Sequence, residues 1–164
     1  EKFCKIIKEF GCRFKVQVYL EPGDSVIYES AELVTKVLDI VHNRINIAII
    51  DASTEAHMLD LLVYRQSAKM KNTSADRFGY SAGRFKYMVA GRSCLAGDIF
   101  GTYNFKTRLK VGRLIKFSDA AGYTMVKKNW FNGLKMPSIV VKRLNGSVEL
   151  VRRFTYRDFA GSLS

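Results

Sequence analysis

The chain has 164 residues, of which 48% are hydrophobic, and it carries a formal net charge of +12 at pH 7. This length suits one ordinary domain, and the apolar content excludes the composition of a disordered chain. The longest apolar run, Ile45 to Ala52, suits a strand but is too short to cross a bilayer, so we expect no membrane partner.

A helix, a strand and a turn are predicted at the start of the chain. Four apolar residues share one helical face: Phe3, Ile6, Ile7 and Phe10. Gly11 is expected to end this helix. Phe14 to Leu20 alternates apolar and polar residues, which predicts a strand, and Glu21 to Asp24 (Glu-Pro-Gly-Asp) predicts a turn. A helix that leads into a strand, with charged residues after the strand, is typical of an α/β barrel.

The remainder of the chain is predicted to be rich in strands. Their expected ranges are Leu33 to Val41, Ile45 to Asp51, Phe85 to Ala90, Leu114 to Phe117, Ser138 to Arg143 and Val148 to Thr155. The first range also allows a helix, but its β-branched residues favour a strand. Asn145-Gly146 predicts a hairpin between the last two strands. The other segments are expected to be a turn at His42 to Arg44, a loop or short helix at Ser53 to Leu62, a loop at Ser67 to Ser81 and a helical turn at Tyr156 to Ala160.

These elements predict an α+β fold in two parts. Residues 1–31 are interpreted as the last helix and strand of an incomplete (β/α)8 barrel, and residues 32–164 as a mostly antiparallel β-domain, either sandwich-like or barrel-like. A complete barrel needs roughly 250 residues. Together with the first residue, Glu1 in place of Met, this favours a piece of a longer chain over a chain that has lost a leader.

The charge is unevenly distributed, which leaves two interpretations open. Up to Leu62 the chain has 7 basic and 10 acidic residues, and from Val63 onward it has 20 and 5. Such a surplus is usually a solvated surface, but it also allows a basic nucleic-acid-binding β module. Five aromatic residues could then stack on bases: Tyr80, Phe85, Tyr87, Tyr103 and Phe105.

The cysteines indicate a compartment rather than a site. Cys4, Cys12 and Cys94 are odd in number and widely spaced, which argues against a disulfide framework. No Cys-x-x-Cys pair suggests a structural zinc site, so we expect no metal. These features fit a reducing cytoplasm.

Four segments could carry chemistry, although each also has a purely structural interpretation. The carboxylates of Glu21 and Asp24 could point into a pocket or lie on a plain turn. Cys94 lies among small residues and is more simply a buried structural cysteine. Tyr123, in a glycine-flanked turn, could bind a phosphate or be a core aromatic. His57 and Asp60 would share a helical face but make a weak metal site.

Taken in order, Glu-Pro-Gly, Cys-Leu-Ala-Gly-Asp, Gly-Tyr-Thr and Phe-Asn-Gly resemble the C-terminal region of the alanine-racemase-like (fold type III) decarboxylases that use pyridoxal 5′-phosphate (PLP). That group includes ornithine, diaminopimelate and carboxynorspermidine decarboxylases. Three details make the chain most similar to the enzymes for carboxynorspermidine or carboxyspermidine. They are Asp24, where relatives usually have Arg, the Ala56 to Asp60 motif (Ala-His-Met-x-Asp), and the Cys94 to Asp98 motif. The resemblance runs from about Val16 to Tyr156.

The resemblance implies roles for several residues. Glu21 would pair with the pyridinium nitrogen of PLP, and Gly23 and Tyr123 would contact its phosphate. Cys94 would reach from one subunit of a homodimer into the partner's active site and act near the substrate Cα. Four residues would bind a carboxylated polyamine, whose ammonium groups suit carboxylates: Asp24, His57, Asp60 and Asp98.

The resemblance also implies what lies elsewhere. In the family, the lysine that binds PLP, the histidine that stacks on its ring and the glycine-rich phosphate loop belong to the N-terminal barrel. We find none of them in this chain, so the 164 residues alone are not expected to decarboxylate a substrate. A diaminopimelate or ornithine type of enzyme, and a homologue without activity, remain open. Leu59, where the family often has Pro, and Ala90, where it often has Gly, depart from the pattern.

Overall fold

A computed structural model describes residues 1–70 and 83–163. Within these residues the chain forms five α-helices: α1 (Lys2–Phe14), α2 (Thr54–His57), α3 (Asp60–Val63), α4 (Gly122–Lys127) and α5 (Tyr156–Gly161). The strands described are β1 (Leu33–Asn43), β2 (Ile45–Ile50), β3 (Phe85–Ala90), β4 (Ile99–Phe105), β5 (Leu114–Phe117), β6 (Ile139–Lys142) and β7 (Val148–Arg152). Single 3₁₀ turns occupy Gly23–Val26 and Phe131–Gly133. Most of the loop predicted at Ser67 to Ser81 lies outside the described residues.

Five strands form one mixed sheet in the order β4-β3-β2-β1-β5. β1 pairs antiparallel with β2 and with β5, and β3 pairs antiparallel with β4, whereas β2 and β3 run parallel. The connection between the two parallel strands contains α2 and α3. The predicted α+β class with a mostly antiparallel sheet is therefore confirmed. The division at residue 31 stays a prediction.

The core draws apolar side chains from all five strands of this sheet. Alternation along each strand places one set of side chains inward, as in Leu33, Thr35 and Val37 of β1. Phe100 of β4 stacks on Phe117 of β5 with ring centroids 4.9 Å apart. Fully burying each of these side chains stabilises the fold by about 1.5–3 kcal/mol.

The N-terminal prediction is corrected in two places. Helix α1 continues through Gly11 to Phe14 and ends where Lys15 adopts a left-handed conformation, with φ 49°. The strand predicted at Phe14 to Leu20 does not form. A strand needs a neighbour to satisfy its backbone hydrogen bonds, and none of the described strands pairs with this segment. The apolar face of α1 is also left exposed, and the helix contains no buried residue.

Strand β4 was not predicted, and its sequence explains why. Gly101 interrupts it, and Phe100 and Gly101 are both buried, which breaks the alternation expected of a strand. A Cβ at Gly101 would lie 2.6 Å from the Tyr103 hydroxyl and 2.8 Å from the Ser67 Cβ. The glycine is required because the Tyr103 side chain folds back against the strand, where its hydroxyl lies 2.7 Å from the Ala68 carbonyl oxygen.

The C-terminal hairpin is confirmed. β6 pairs antiparallel with β7, and the predicted Asn145-Gly146 turn lies between them, with Gly146 at φ 84°. Strand β7 stops at Arg152, three residues before the predicted end, because Thr155 caps helix α5 instead. The Thr155 hydroxyl and N–H both donate to the Asp158 carboxylate.

None of the helices in residues 1–70 and 83–163 is long and apolar enough to span a bilayer.

Candidate active site

Parallel pairing of β2 and β3 brings two of the candidate segments to one edge of the sheet. Ile49 lies opposite Ala90, so both strands end at this edge. β2 leads into α2, which carries His57, and β3 leads into the loop from Gly91 to Asp98, which carries Cys94. The fold therefore places together two motifs that are some 40 residues apart in sequence.

Asp98 joins these two segments. It is buried, and its Oδ1 accepts hydrogen bonds from the Thr54 N–H at 2.7 Å and the Thr54 hydroxyl at 2.9 Å. Its Oδ2 accepts from the Ser93 N–H at 3.0 Å and the Ser93 hydroxyl at 2.6 Å. Burial alone would raise the pKa of Asp98, but these hydrogen bonds lower it below the usual value of a carboxyl group. Since both oxygens already hold protein donors, the geometry favours a positioning role over the direct contact with a substrate amine that the resemblance implies.

Cys94 is exposed, so the interpretation of it as a buried structural cysteine is wrong. Its backbone N–H donates to the Oδ1 of Asn132 at 2.7 Å. Together with the bonds from Ser93 to Asp98, this contact fixes the backbone on which the thiol is carried. The arrangement presents a thiol at the surface from a constrained loop.

The Glu21 to Asp24 turn lies against the start of α4. Gly122 has φ 53°, and a Cβ there would overlap the Asp24 carboxylate and lie 2.7 Å from the Ile27 Cδ1. Only glycine permits both the left-handed backbone and this close approach. The structure thus brings Asp24 beside Gly122 and its neighbour Tyr123, although the two segments are almost 100 residues apart in sequence.

Asp60 has a partner that the sequence did not reveal. The Lys127 Nζ donates to the Asp60 Oδ1 at 2.6 Å, and the same ammonium lies 4.7 Å from the centre of the Tyr123 ring. The hydrogen bond to Asp60 raises the pKa of Lys127, which therefore stays charged. Lys127 links the carboxylate predicted to bind the substrate with the tyrosine predicted to bind the cofactor. A substrate amine that reached Asp60 would compete with this lysine.

His57 is buried, and its Nδ1 accepts the Ser53 N–H at 3.1 Å. Its Nε2 has no hydrogen-bond partner among the described residues, although the Lys135 backbone faces the ring. Burial lowers the pKa of His57, and the Lys135 backbone only partly offsets this effect. The neutral ring borders a cavity of about 1160 Å³, which Asp51 and Arg92 also line. A neutral imidazole can hydrogen-bond a ligand here but cannot supply a fixed positive charge.

The pKa of His57 predicts how stability depends on pH. The unfolded chain takes up a proton on this residue near pH 6.5, whereas the folded chain takes it up only at lower pH. The free energy of unfolding is therefore expected to be unaffected above this pH and to fall as the pH drops below it. Urea unfolding of wild-type protein and of His57→Gln across this range measures the effect. The exposed His42 provides the control variant His42→Gln. An equal loss of stability in all three proteins would contradict the assignment.

The exposed residues of this region fit PLP. Glu21 is exposed and makes no hydrogen bond among the described residues, so its carboxylate is available to a ring nitrogen. Gly23 has φ 52°, and nothing lies within 4 Å of the position a Cβ would take, which leaves its backbone open to a phosphate. Tyr123 is 54% exposed, so about half of its surface is accessible to a ligand. No group of three or more possible metal ligands occurs among the described residues.

Sequence reasoning missed Lys127, Asn132 and Thr54. Lys127 follows Tyr123 by four residues, a spacing that places both on one helical face and would have suggested their contact. Asn132 lies within a motif that was noticed, but its bond to Cys94 spans 38 residues and has no signal in one sequence. The bonds from Thr54 to Asp98 span 44 residues and are hidden in the same way.

Comparison with known proteins agrees with this geometry. The family model of the pyridoxal-dependent decarboxylase C-terminal sheet domain matches residues 25–121. The carboxynorspermidine/carboxyspermidine decarboxylase of Herminiimonas arsenicoxydans is 47% identical over 164 residues, which is 100% of this chain and 43% of the relative. The enzyme of the same name from Campylobacter jejuni is 36% identical to this chain. The match covers 98% of this chain and 44% of the Campylobacter enzyme.

Solved structures give the same result. The crystal structure of Campylobacter jejuni carboxynorspermidine decarboxylase complexed with norspermidine has a TM-score of 0.80 and 35% identity, covering 94% of this chain and 44% of that one. Diaminopimelate decarboxylase from M. jannaschii has a TM-score of 0.70 at 25% identity. This chain spans less than half the length of the curated relatives it matches most extensively. It belongs to the pyridoxal-dependent decarboxylases, and what it contains is their C-terminal sheet domain.

Proposed function

We propose that this chain is the C-terminal part of a PLP-dependent decarboxylase that removes CO₂ from carboxynorspermidine or carboxyspermidine. The observation that carries the proposal is 47% identity, over the whole chain, to an enzyme named for these substrates. A carboxyaminopropylagmatine decarboxylase from Synechocystis is 34% identical over 96% of the chain, and its name also describes a carboxylated polyamine. The diaminopimelate decarboxylase of Archaeoglobus fulgidus is 26% identical over 71% of the chain. The polyamine enzymes are thus the better match.

Three exposed residues would hold the cofactor in this function. Glu21 would keep a proton on the pyridine nitrogen of PLP, and Gly23 and Tyr123 would contact the phosphate. PLP supplies an electron sink for the electron pair left when CO₂ departs. A fixed anion at Glu21 strengthens that sink because it stabilises the protonated ring.

The acids of the site would bind the ammonium groups of the substrate. The Asp24 carboxylate lies against Gly122 at the start of α4, and Asp60 accepts a hydrogen bond from Lys127 at the end of α4. Charge-assisted hydrogen bonds to ammonium are stronger than neutral ones. We assign Asp98 to positioning, since its oxygens are fully used by Thr54 and Ser93.

Cys94 would deliver a proton to the carbon that has lost CO₂. The thiol is exposed on a loop that Asp98 and Asn132 hold in place. An exposed thiol on a constrained loop suits the resemblance, in which this cysteine enters the active site of the partner subunit in a homodimer.

Cytoplasmic location and the absence of a nucleic-acid partner stay predictions.

The structure weakens the nucleic-acid alternative. Tyr87 and Tyr103 point into the core, with 6% and 3% of their surface exposed, so neither can stack on a base. Phe105 packs edge-on against Tyr87 at 5.8 Å between ring centroids. Tyr80 lies outside the described residues. A stacking platform needs accessible ring faces, which these buried tyrosines lack.

The product of the reaction tests the proposed function. The whole protein that contains this chain is expected to bind PLP, visible by absorbance, and to release CO₂ and norspermidine in equal amounts from carboxynorspermidine. Mass spectrometry of the amine and trapping of the CO₂ measure both products. A PLP-loaded protein that released no CO₂ from any carboxylated polyamine would refute the proposal.

A further inference from the structure

Asn132 has an unusual backbone for a residue with a side chain. It lies in the 3₁₀ turn Phe131–Gly133, with φ 57° and ψ 18°. Glycine adopts this left-handed region most readily, and asparagine is among the few other residues that tolerate it. Asn132 is one of six non-glycine residues with positive φ in the described part of the chain, so a role for its side chain has to come from its contacts.

The Asn132 side chain contacts the loop that carries the proposed catalytic thiol. Its Oδ1 accepts the backbone N–H of Cys94 at 2.7 Å. On the other side of Cys94, both the N–H and the hydroxyl of Ser93 donate to Asp98. The thiol is therefore carried on backbone that is held from two directions, by a buried carboxylate and by Asn132.

The segment that contains Asn132 is hydrogen-bonded to helix α2. The Asn129 N–H donates to the Ala56 carbonyl at 2.9 Å, and the Asn129 side-chain amide donates to the Glu55 carbonyl at 2.9 Å. The Phe131 N–H in turn donates to the Asn129 Oδ1 at 2.8 Å. These bonds tie the turn to α2, the same helix whose Thr54 is bonded to Asp98. The two groups that hold the Cys94 loop, Asp98 and the segment that contains Asn132, are therefore both hydrogen-bonded to α2.

We propose that Asn132 is a positioning residue, which holds the Cys94 backbone so that the thiol reaches the carbon it protonates. The inference rests on the proposed function of Cys94 and deepens it. A displacement of about 1 Å at a reacting group can lower a rate by about 100-fold. The Asn132 bond is exposed to water, so losing it is expected to loosen the loop without unfolding the protein.

Two substitutions separate the hydrogen bond from the backbone conformation. Asn132→Gly suits the left-handed backbone better than asparagine does but removes the acceptor. Asn132→Asp keeps the acceptor and tolerates the same backbone. We expect Asn132→Gly to keep the melting temperature and KM while kcat falls by about 10- to 100-fold. We expect Asn132→Asp to retain most of kcat, because the hydrogen bond to the Cys94 N–H is kept.

Thiol alkylation gives a readout that does not depend on turnover. In the whole protein, iodoacetamide labelling of the peptide containing Cys94 is followed by mass spectrometry, and the exposed Cys4 and Cys12 serve as internal controls. Asn132→Gly is expected to speed labelling at Cys94 alone. Unchanged labelling at Cys94 together with unchanged kcat in Asn132→Gly would overturn the inference.

Cys94→Ala separates this failure from a failure of the proposed function. If Cys94→Ala loses activity while Asn132→Gly keeps wild-type kcat, only the positioning role of Asn132 is wrong. If Cys94→Ala keeps wild-type activity, the role proposed for Cys94 falls, and the inference about Asn132 falls with it.

Discussion

Replacing Asp98 with alanine is expected to lower the free energy of unfolding by about 3 kcal/mol or more, because four donors lose their acceptor inside the protein. The loss would release the Cys94 loop from α2 and so also reduce activity. Asp98→Asn keeps one carbonyl oxygen but turns an NH₂ group toward another donor, so an intermediate loss is expected. Chemical denaturation of the three proteins measures the series.

The pH dependence of this effect provides a second check. Since the pKa of Asp98 is lowered in the folded protein, its contribution is fully present above about pH 4 and is lost as the pH falls through the folded-state value. Asp39→Ala removes an exposed carboxylate of β1 and is the matched control, with little change expected. An Asp98→Ala protein as stable as Asp39→Ala would show that the carboxylate does not join the two segments.

Replacing Glu21 with glutamine is expected to lower kcat by about 10²- to 10³-fold, the cost typical of removing one fixed electrostatic partner from a reacting group. An uncharged amide would no longer favour a proton on the pyridine nitrogen. The cofactor should stay bound, since Gly23 and Tyr123 are unchanged. Steady-state CO₂ release, with absorbance to confirm bound PLP, measures the change.

Glu29 supplies the control for this substitution. It is also exposed, it lies eight residues further along the chain, and Glu29→Gln is expected to leave kcat unchanged. A Glu21→Gln protein with bound PLP and wild-type kcat would remove Glu21 from the cofactor site.

Local patterns predicted the sheet well because its strands obey local rules. β3 and β5 begin and end where alternation placed them, and the Asn145-Gly146 turn formed the expected hairpin. β4 escaped prediction because a non-local contact, between Gly101 and the Tyr103 side chain, broke its alternation. The strand predicted at Phe14 to Leu20 has the alternating pattern of a strand. It does not form because none of the described strands pairs with it.

The sequence offers candidate site residues, which stay predictions, but it does not offer their contacts. The motif order predicted roles for Glu21, Cys94 and Tyr123 by resemblance. It could not show that Lys127 bonds to Asp60 or that Thr54 bonds to Asp98, because these partners are 67 and 44 residues apart in sequence. The bonds from Thr54 to Asp98 depend on the parallel pairing of β2 and β3, which one sequence does not specify.

The choice of substrate tests the central claim most directly. Steady-state CO₂ release by the whole PLP-loaded protein should be measured with carboxynorspermidine and with diaminopimelate under the same conditions. We predict a higher kcat/KM for carboxynorspermidine, because the two ammonium groups beyond its reacting carbon, against one in diaminopimelate, match the carboxylates of Asp24 and Asp60. Faster release from diaminopimelate, or none from carboxynorspermidine, would contradict the account.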